Sequence, residues 1–186
     1  MRVKYKSIDF NEMDRMFVYC PETGNIFHKV NRYKVKAGTI ATHKQKTGYL
    51  AISFRKNGHH FTYLAHRVGY LLGTGIDPGD KEIDHVNRIR ADNRLCNLEL
   101  VTYGEHKKRQ PRRIDNTSGV TGVHWSEERQ KWVAQISIDN KYTNLGRFDD
   151  FFEAVCIRKS AENRNGYHAI HGKTDEEARK ILTEGV

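Results

Sequence analysis

Apolar positions along this chain of 186 residues fall in short runs separated by turn signals. The first run predicts a helix from Asp9 to Met16, with Asp9 as cap and Glu12 at capping-box spacing. Strand-like pieces follow. Pro21-Glu22-Thr23-Gly24 reads as a turn, and Asn25 to Lys29 alternates as a strand does. Gly48 to Phe54 is a further strand, and Asn57-Gly58 marks a tight hairpin turn. From Leu64 to Leu72 the period becomes helical, with Leu64, Val68, Leu71 and Leu72 on one face; Gly73, Gly75 and Pro78 end it. Lys81 to His85 predicts a short strand, Val86 to Asn97 a polar loop, and Leu98 to Val101 a second strand. Thr102 then caps a helix through His106 to about Gln110, stopped by Pro111.

The last part of the chain repeats neither pattern. From about Gly119, three strands are predicted at Val120 to Trp125, Lys131 to Ile138 and Tyr142 to Phe148, with Asp139-Asn140 turning between the last two. Asp149 or Asp150 caps a helix from Phe151 to Asn165. Its apolar positions are Phe152, Val155, Ile157 and Ala161, and Asn165-Gly166 closes it. The expected fold class is α+β, ending in a small three-stranded antiparallel sheet packed on one helix. There is no internal repeat and no low-complexity tract.

Charge narrows the partner. Lys and Arg number 32 against 23 Asp and Glu, a formal net charge of +9 with pI near 9.5. The cations are spread along the chain, which favours a polyanion because each neutralised phosphate releases counterions. A merely soluble basic protein carries the same balance. Cys20, Cys96 and Cys156 have no CxxC spacing, which argues against a cysteine zinc knuckle or a disulfide framework. Reduced thiols, no apolar run of membrane-spanning length and no hydrophobic signal region in MRVKYKSIDF lead us to expect a cytoplasmic, DNA-associated protein without a membrane partner.

The candidate chemistry centres on Asp84-His85, Asn97 and His106. Phosphodiester hydrolysis needs a base that is neutral near pH 7, which histidine supplies, and a hard cation on phosphate oxygens. Mg²⁺ is held by one or two protein groups plus waters and substrate, so a sparse ligand set is expected. Asp84 offers an anionic oxygen and His106 a nitrogen. Neighbours on a strand point to opposite faces, so both Asp84 and His85 reach one phosphate only at a strand end or bulge.

The stretch IDHVNRIRADNRLCNLELVTYGEHKKR, Ile83 to Arg109, resembles the ββα-metal motif of HNH endonucleases, specifically the phage and intron-encoded homing type. The resemblance implies His85 as general base and Asp84 and His106 as metal ligands. It implies Asn97 as the residue that positions the base and bridges the hairpin loop. The cofactor implied is a divalent metal, Mg²⁺ with Mn²⁺ as the alternative. Asn87, Asp92, Asn93 and Arg94 fit the loop pattern and are expected to order the loop or touch DNA backbone. Upstream, Ala65-His66-Arg67 is similar to a phrase common ahead of the motif. His66 either borders the cleft or packs, with packing favoured, and Arg67 is a phosphate-contact candidate. His59 and His60, beside the hairpin turn, are expected at the surface.

The last third of the chain, through Ser118 to Trp125, Lys131 to Ile136, Leu145 to Phe148 and Glu153-Ala154, resembles the AP2/ERF-type DNA-binding domain. That family sets a three-stranded sheet in the major groove. The resemblance implies contacts from Thr121, His124, Arg129, Trp132, Gln135, Ser137, Asn144 and Arg147. Thr121, His124 and Ser137 stand where family members carry Arg, which implies a different readout. Trp132, Gln135 and Ser137 cannot share a face under strict alternation, and Trp125 is divided between core and surface. Arg94, Lys107, Lys108, Arg112 and Arg113 complete the DNA-binding candidates.

The domains expected are residues 1–110, β-rich region and nuclease (motif 83–109); 111–118, basic linker; 119–172, DNA-binding module; and 173–186, tail. The function expected is a metal-dependent endonuclease on double-stranded DNA, a homing enzyme of a phage or mobile element. The alternatives are a catalytically inactive DNA-binding regulator and an RNA- or ribosome-binding protein. Monomer and homodimer, and one-strand and two-strand cutting, stay open.

Overall fold

The computed structural model describes residues 7–32, 34–138 and 141–184. The chain forms two compact units, Met1–Thr102 and Tyr103–Val186. Among the described residues no helix is long and apolar enough to cross a membrane.

The first unit begins with α1 (Phe10–Met16), where the Asp9 carboxylate accepts from the Glu12 N–H as its sequence predicts. Glu12 turns its own side chain to Lys56 at 2.7 Å. β1 (Phe17–Tyr19) and β2 (Ile26–His28) form an antiparallel hairpin. β3 (Thr42–Lys44), β4 (Leu50–Lys56) and β5 (His59–Leu64) form a second antiparallel sheet in that order. Asn57 and Gly58 both take positive φ, +48° and +77°, as a two-residue turn between Lys56 and His59 requires. β5 carries His59 and His60 exposed on an edge strand. α2 (Ala65–Thr74) then ends at Gly75, left-handed at φ +74°. Its Val68 and Leu71 join Met13, Phe17, Ile26 and Ile52 in one core. β6 (Glu82–His85) and β7 (Leu98–Val101) close the unit as a two-stranded antiparallel hairpin.

Arg67 occupies a different place from the phosphate contact expected. It is 3% exposed, and its guanidinium donates to the Lys81 carbonyl at 2.8 Å and the Gly79 carbonyl at 2.6 Å. It pins the segment leading into β6 and has no surface from which to reach DNA.

The second unit opens with α3 (Tyr103–Lys107), shorter than the helix expected through Gln110. Arg109 N–H turns to the His106 carbonyl and Gln110 N–H to that of Lys107, three residues back, so the helix tightens and stops ahead of Pro111. Residues 108–112, at the expected linker, run against 168–173. The Lys108 carbonyl takes the His168 N–H, the Gln110 carbonyl that of Gly172, and Arg112 N–H donates to Lys173. β8 (Val123–Ser126), β9 (Lys131–Ile138) and β10 (Lys141–Phe148) form an antiparallel sheet with β9 central, and α4 (Phe151–Arg164) packs on it. The Asp139-Asn140 turn lies outside the described residues. Asp150 caps α4, its carboxylate accepting from Glu153 N–H.

The inward stripe of α4 is Ala154, Arg158, Ala161 and Glu162, at i, i+4, i+7 and i+8. Phe152, expected inside, is 73% exposed. The stripe is filled instead by a buried ion pair, Arg158 to Glu162 at 3.0 Å. Arg158 also donates to the carbonyls of Thr121, ahead of β8, and Gln135, on β9 just past its pairing with β8. Beyond the helix expected to be last, Thr174 and Glu177 form a capping box that starts α5 (Asp175–Thr183).

The placement of Arg67 makes a prediction about stability. Arg67→Ala should lower unfolding free energy by about 1–3 kcal/mol, because a buried guanidinium that bonds two part-buried carbonyls is lost. The midpoint of chemical unfolding checks this, and an unchanged midpoint contradicts it.

Candidate active site

β6 runs in regular register against β7, with Asp84 opposite Glu99 and His85 opposite Leu98. Alternation turns Ile83 and His85 inward and leaves Glu82 and Asp84 half-exposed. A strand end, not a bulge, follows: His85 is the last residue of β6, and its carbonyl accepts from the Arg88 N–H.

The loop after His85 is held by its own amides. Asn97 Oδ1 accepts from the Asn87 N–H at 2.9 Å; its Nδ2 donates to Asn87 Oδ1 at 3.0 Å and to the Asp92 carbonyl at 2.8 Å. The Val86 N–H donates to the Asn97 carbonyl. Asn97 thus clamps both ends of the loop. Arg94 closes on Asp92 through two bonds, 2.8 and 2.6 Å, and Asn87 adds a third at 2.7 Å. Arg94 first, then Asn87, holds the Asp92 carboxyl down at about 2. Arg94 therefore orders the loop through Asp92, one of the two roles expected of it.

His85 is 5% exposed, and its Nε2 lies 3.0 Å from Asn93 Oδ1. An amide oxygen has no proton to give, so Nε2 carries the hydrogen and the lone pair sits on Nδ1. His66 meets the His85 ring edge-on at 5.1 Å between centroids, and Tyr49 lies 5.9 Å from it. Burial pushes His85 below the usual imidazole range, opposed by the Asn93 bond and the charges of Asp84 and Asp92. His66 is pushed to about 3, by burial first and then by His85 and Arg67. It packs against His85 as a neutral ring.

Two residues of this cluster lie within the motif but make contacts that its spacing does not assign. Asn93, read as a loop-ordering residue, bonds His85 directly. Arg90 donates to the Thr47 carbonyl at 2.7 Å and stacks over Tyr49 at 5.2 Å, which fixes an exposed guanidinium near His85. Its partners lie more than forty residues earlier, so no local pattern marks it.

His106 lies half-buried on α3, in the second unit. Asp84 and His106 are carried by different units, and their pairing as ligands rests on the motif. Among the described residues no group of three or more His, Cys, Asp or Glu is arranged to hold a metal ion.

Strand pairing in the second unit sorts the remaining candidates. His124 and Arg147 both pair with Val133, Asn144 with Gln135, and Tyr142 with Ser137, so these residues share one sheet face. Trp132 falls on the other face with Ala134 and Ile136. It is half-buried, packs on Phe151 at 4.7 Å against the core, and faces away from the sheet surface of the other candidates; the period of two decides it. Trp125 pairs with Trp132, its ring edge-on at 5.4 Å and 36% exposed, at the border of that core. Thr121 precedes β8, and its carbonyl accepts from Arg158 Nε. Arg129 sits in the β8–β9 turn beside Glu128. Lys107, Lys108, Arg113, Thr121, Gln135 and Ser137 line one cavity of about 500 Å³. Lys108 donates to the Asn165 carbonyl, Arg112 to that of Gly119, and Arg113 pairs with Asp115.

The HNH endonuclease family model matches residues 63–108, which include His66, Asp84, His85, Asn93, Asn97 and His106. Over 82 residues the chain is 33% identical to Protein 3.8 of Escherichia phage T7, covering 44% of this chain and 67% of that protein. This chain belongs to the HNH endonuclease family. The solved structure "DNA binding and cleavage by the HNH homing endonuclease I-HmuI" aligns with a TM-score of 0.41 at 21% identity. The chain spans about half of that protein, 55% of each chain being covered.

A buried neutral pair of imidazoles in this HNH protein makes stability depend on pH. Between pH about 3 and 6.5 the unfolded chain binds a proton at His66 that the folded chain does not, so stability rises with pH across that window and is lost as pH falls. A urea-unfolding series from pH 3.5 to 7 should show this slope. His66→Phe should flatten it by about one proton; an equal slope in both chains contradicts the assignment.

Proposed function

We propose that this chain is a metal-dependent DNA endonuclease, a site-specific homing nuclease of a phage or mobile element. The observation that carries the reading is His85: a buried neutral imidazole at a strand end, its Nε2 occupied by Asn93, inside the HNH match. That arrangement suits a general base, since a lone pair on Nδ1 takes a proton near neutral pH.

The chain's own groups support the chemistry as follows. A water bound against a DNA phosphate gives its proton to His85 Nδ1. The hydroxide attacks phosphorus, the bond to the 3′ oxygen breaks, and that oxygen takes a proton from solvent water, giving a 5′-phosphate and a 3′-hydroxyl. The resulting imidazolium is favoured by the nearby Asp84 and Asp92 carboxylates, both of which act on His85 in that direction. Arg90, anchored by Thr47 and Tyr49, offers its guanidinium to a phosphate oxygen.

Asp84 is a half-exposed carboxylate one residue from the base, a hard oxygen donor of the kind Mg²⁺ or Mn²⁺ selects. Asp84 would hold the ion, with waters and substrate phosphate in its shell as a sparse protein ligand set requires, and the motif gives His106 as the second ligand. When bound, such an ion supplies stabilisation of charge on the phosphate and leaving oxygens.

Target choice belongs, in this reading, to the second unit, an AP2-like module. His124, Gln135, Ser137, Asn144 and Arg147 share one face of the β10-β9-β8 sheet, and a sheet or ribbon of this width fits a major groove. One HNH site per chain nicks one strand at a time.

The test is cleavage of supercoiled plasmid carrying DNA from the source genome, with Mg²⁺, with Mn²⁺ and with EDTA. We expect metal-dependent conversion to open circle, and a loss of roughly 100-fold or more in His85→Ala. DNA bound but left intact under both metals overturns the nuclease and favours a catalytically inactive regulator.

A further inference from the structure

The motif assigns the positioning of the base to Asn97, yet the bonds of Asn97 go to Asn87, Asp92 and Val86. The side chain that meets His85 is Asn93, 1% exposed, at 3.0 Å. A neutral imidazole exists as two tautomers, and only the one with Nδ1 unprotonated offers that nitrogen as a base. An amide oxygen fixed against Nε2 selects that tautomer.

Asn93 is itself held from behind, by parts of the chain far away in sequence. The Tyr19 hydroxyl donates to the Asn93 carbonyl at 2.8 Å. Gly24, at φ +73°, presses on the same backbone: a β-carbon there would collide with the Asn93 carbonyl carbon and the Arg94 nitrogen. Leu95 N–H donates to the Pro21 carbonyl at 2.9 Å. The Tyr19 ring lies against α2 at Gly69 and Gly73, where added β-carbons would approach it to 2.9 and 3.0 Å. The same helix sets His66 against His85. Tyr19 and Gly24 thus support Asn93, and Asn93 bonds His85.

We infer that Asn93, braced by Tyr19 and Gly24 of the β1–β2 hairpin, is a positioning residue that fixes His85 as its Nε2-protonated tautomer; the role rests on the nuclease reading above. The N-terminal hairpin is then part of the catalytic apparatus, although it contributes no group to the reaction.

The experiment uses the full chain with two readouts. Histidine-labelled protein without metal, at a pH where His85 is neutral, reports the ring tautomer by long-range ¹H–¹⁵N correlation, with His85→Ala supplying the assignment. We expect an Nε2-protonated ring in the wild type and in Asn93→Asp, whose carboxylate still accepts from Nε2. We expect that preference to be lost in Asn93→Leu. Where the wild type nicks DNA, Asn93→Leu should lower kcat roughly 10- to 100-fold with KM for DNA unchanged. Tyr19→Phe keeps the fold while removing one hydroxyl, and should lower kcat by a smaller factor, again without change in KM. Wild-type kcat in Asn93→Leu, or an unchanged His85 tautomer in that variant, overturns the inference. The ring spectrum needs no cleavage, so a wild-type chain that keeps the Nε2-protonated ring and cuts nothing overturns the nuclease reading while supporting the positioning bond.

Discussion

A histidine buried without a full counter-charge is neutral, and a neutral imidazole has one donor and one acceptor. The bond from His85 Nε2 to Asn93 Oδ1, 3.0 Å long, decides which nitrogen is which. The rest of the first unit serves that bond. β6 ends at His85, so the ring enters the interior while the next residue begins a turn. Asn97 ties both ends of that turn, and Arg94 and Asn87 lock Asp92 between them. The Tyr49 and His66 rings pack against His85, and burial keeps His66 uncharged.

The polar groups inside the two units are used in contrasting ways. In the first, a guanidinium buried at Arg67 satisfies two carbonyls and fixes the approach to β6. In the second, the Arg158–Glu162 pair occupies the core-facing stripe of α4, and Arg158 reaches past it to β9. A buried ion pair is weak evidence for stability, since desolvation offsets much of its attraction. Here its service is geometric: Arg158 donates to the Thr121 and Gln135 carbonyls and so ties the segment ahead of β8 to β9.

Much of this was legible in the sequence, and the failures have physical causes. The hairpin at Asn57-Gly58, the cap at Asp9 and the extent of β9 follow from local chemistry that tertiary packing did not override. The pattern of Asp84, His85, Asn97 and His106 is likewise local, and the family match spans it. Alternation already separates Trp132 from Gln135 and Ser137, and only the strand pairing shows that Trp132 is the one that turns to the helix. Phe152 was placed inside because an apolar pattern cannot show that Arg158 and Glu162 fill the inward positions. Arg67 reads as a free cation until the two carbonyls it binds are seen. The contacts of Asn93 with His85, and of Tyr19 with Asn93, span eight and 74 residues and obey no short spacing rule. α5 alone had an overlooked signal, the capping pair Thr174 and Glu177.

The central claim is that His85 acts as a base held neutral by burial. The most direct measurement is the single-turnover rate of DNA nicking against pH, at saturating metal and enzyme. Burial holds the imidazole below its ordinary value of 6.5, so the account predicts a rate that rises through a midpoint below 6.5 and is level by pH 7. A midpoint at or above 7, or the same rise in His85→Ala, would contradict it.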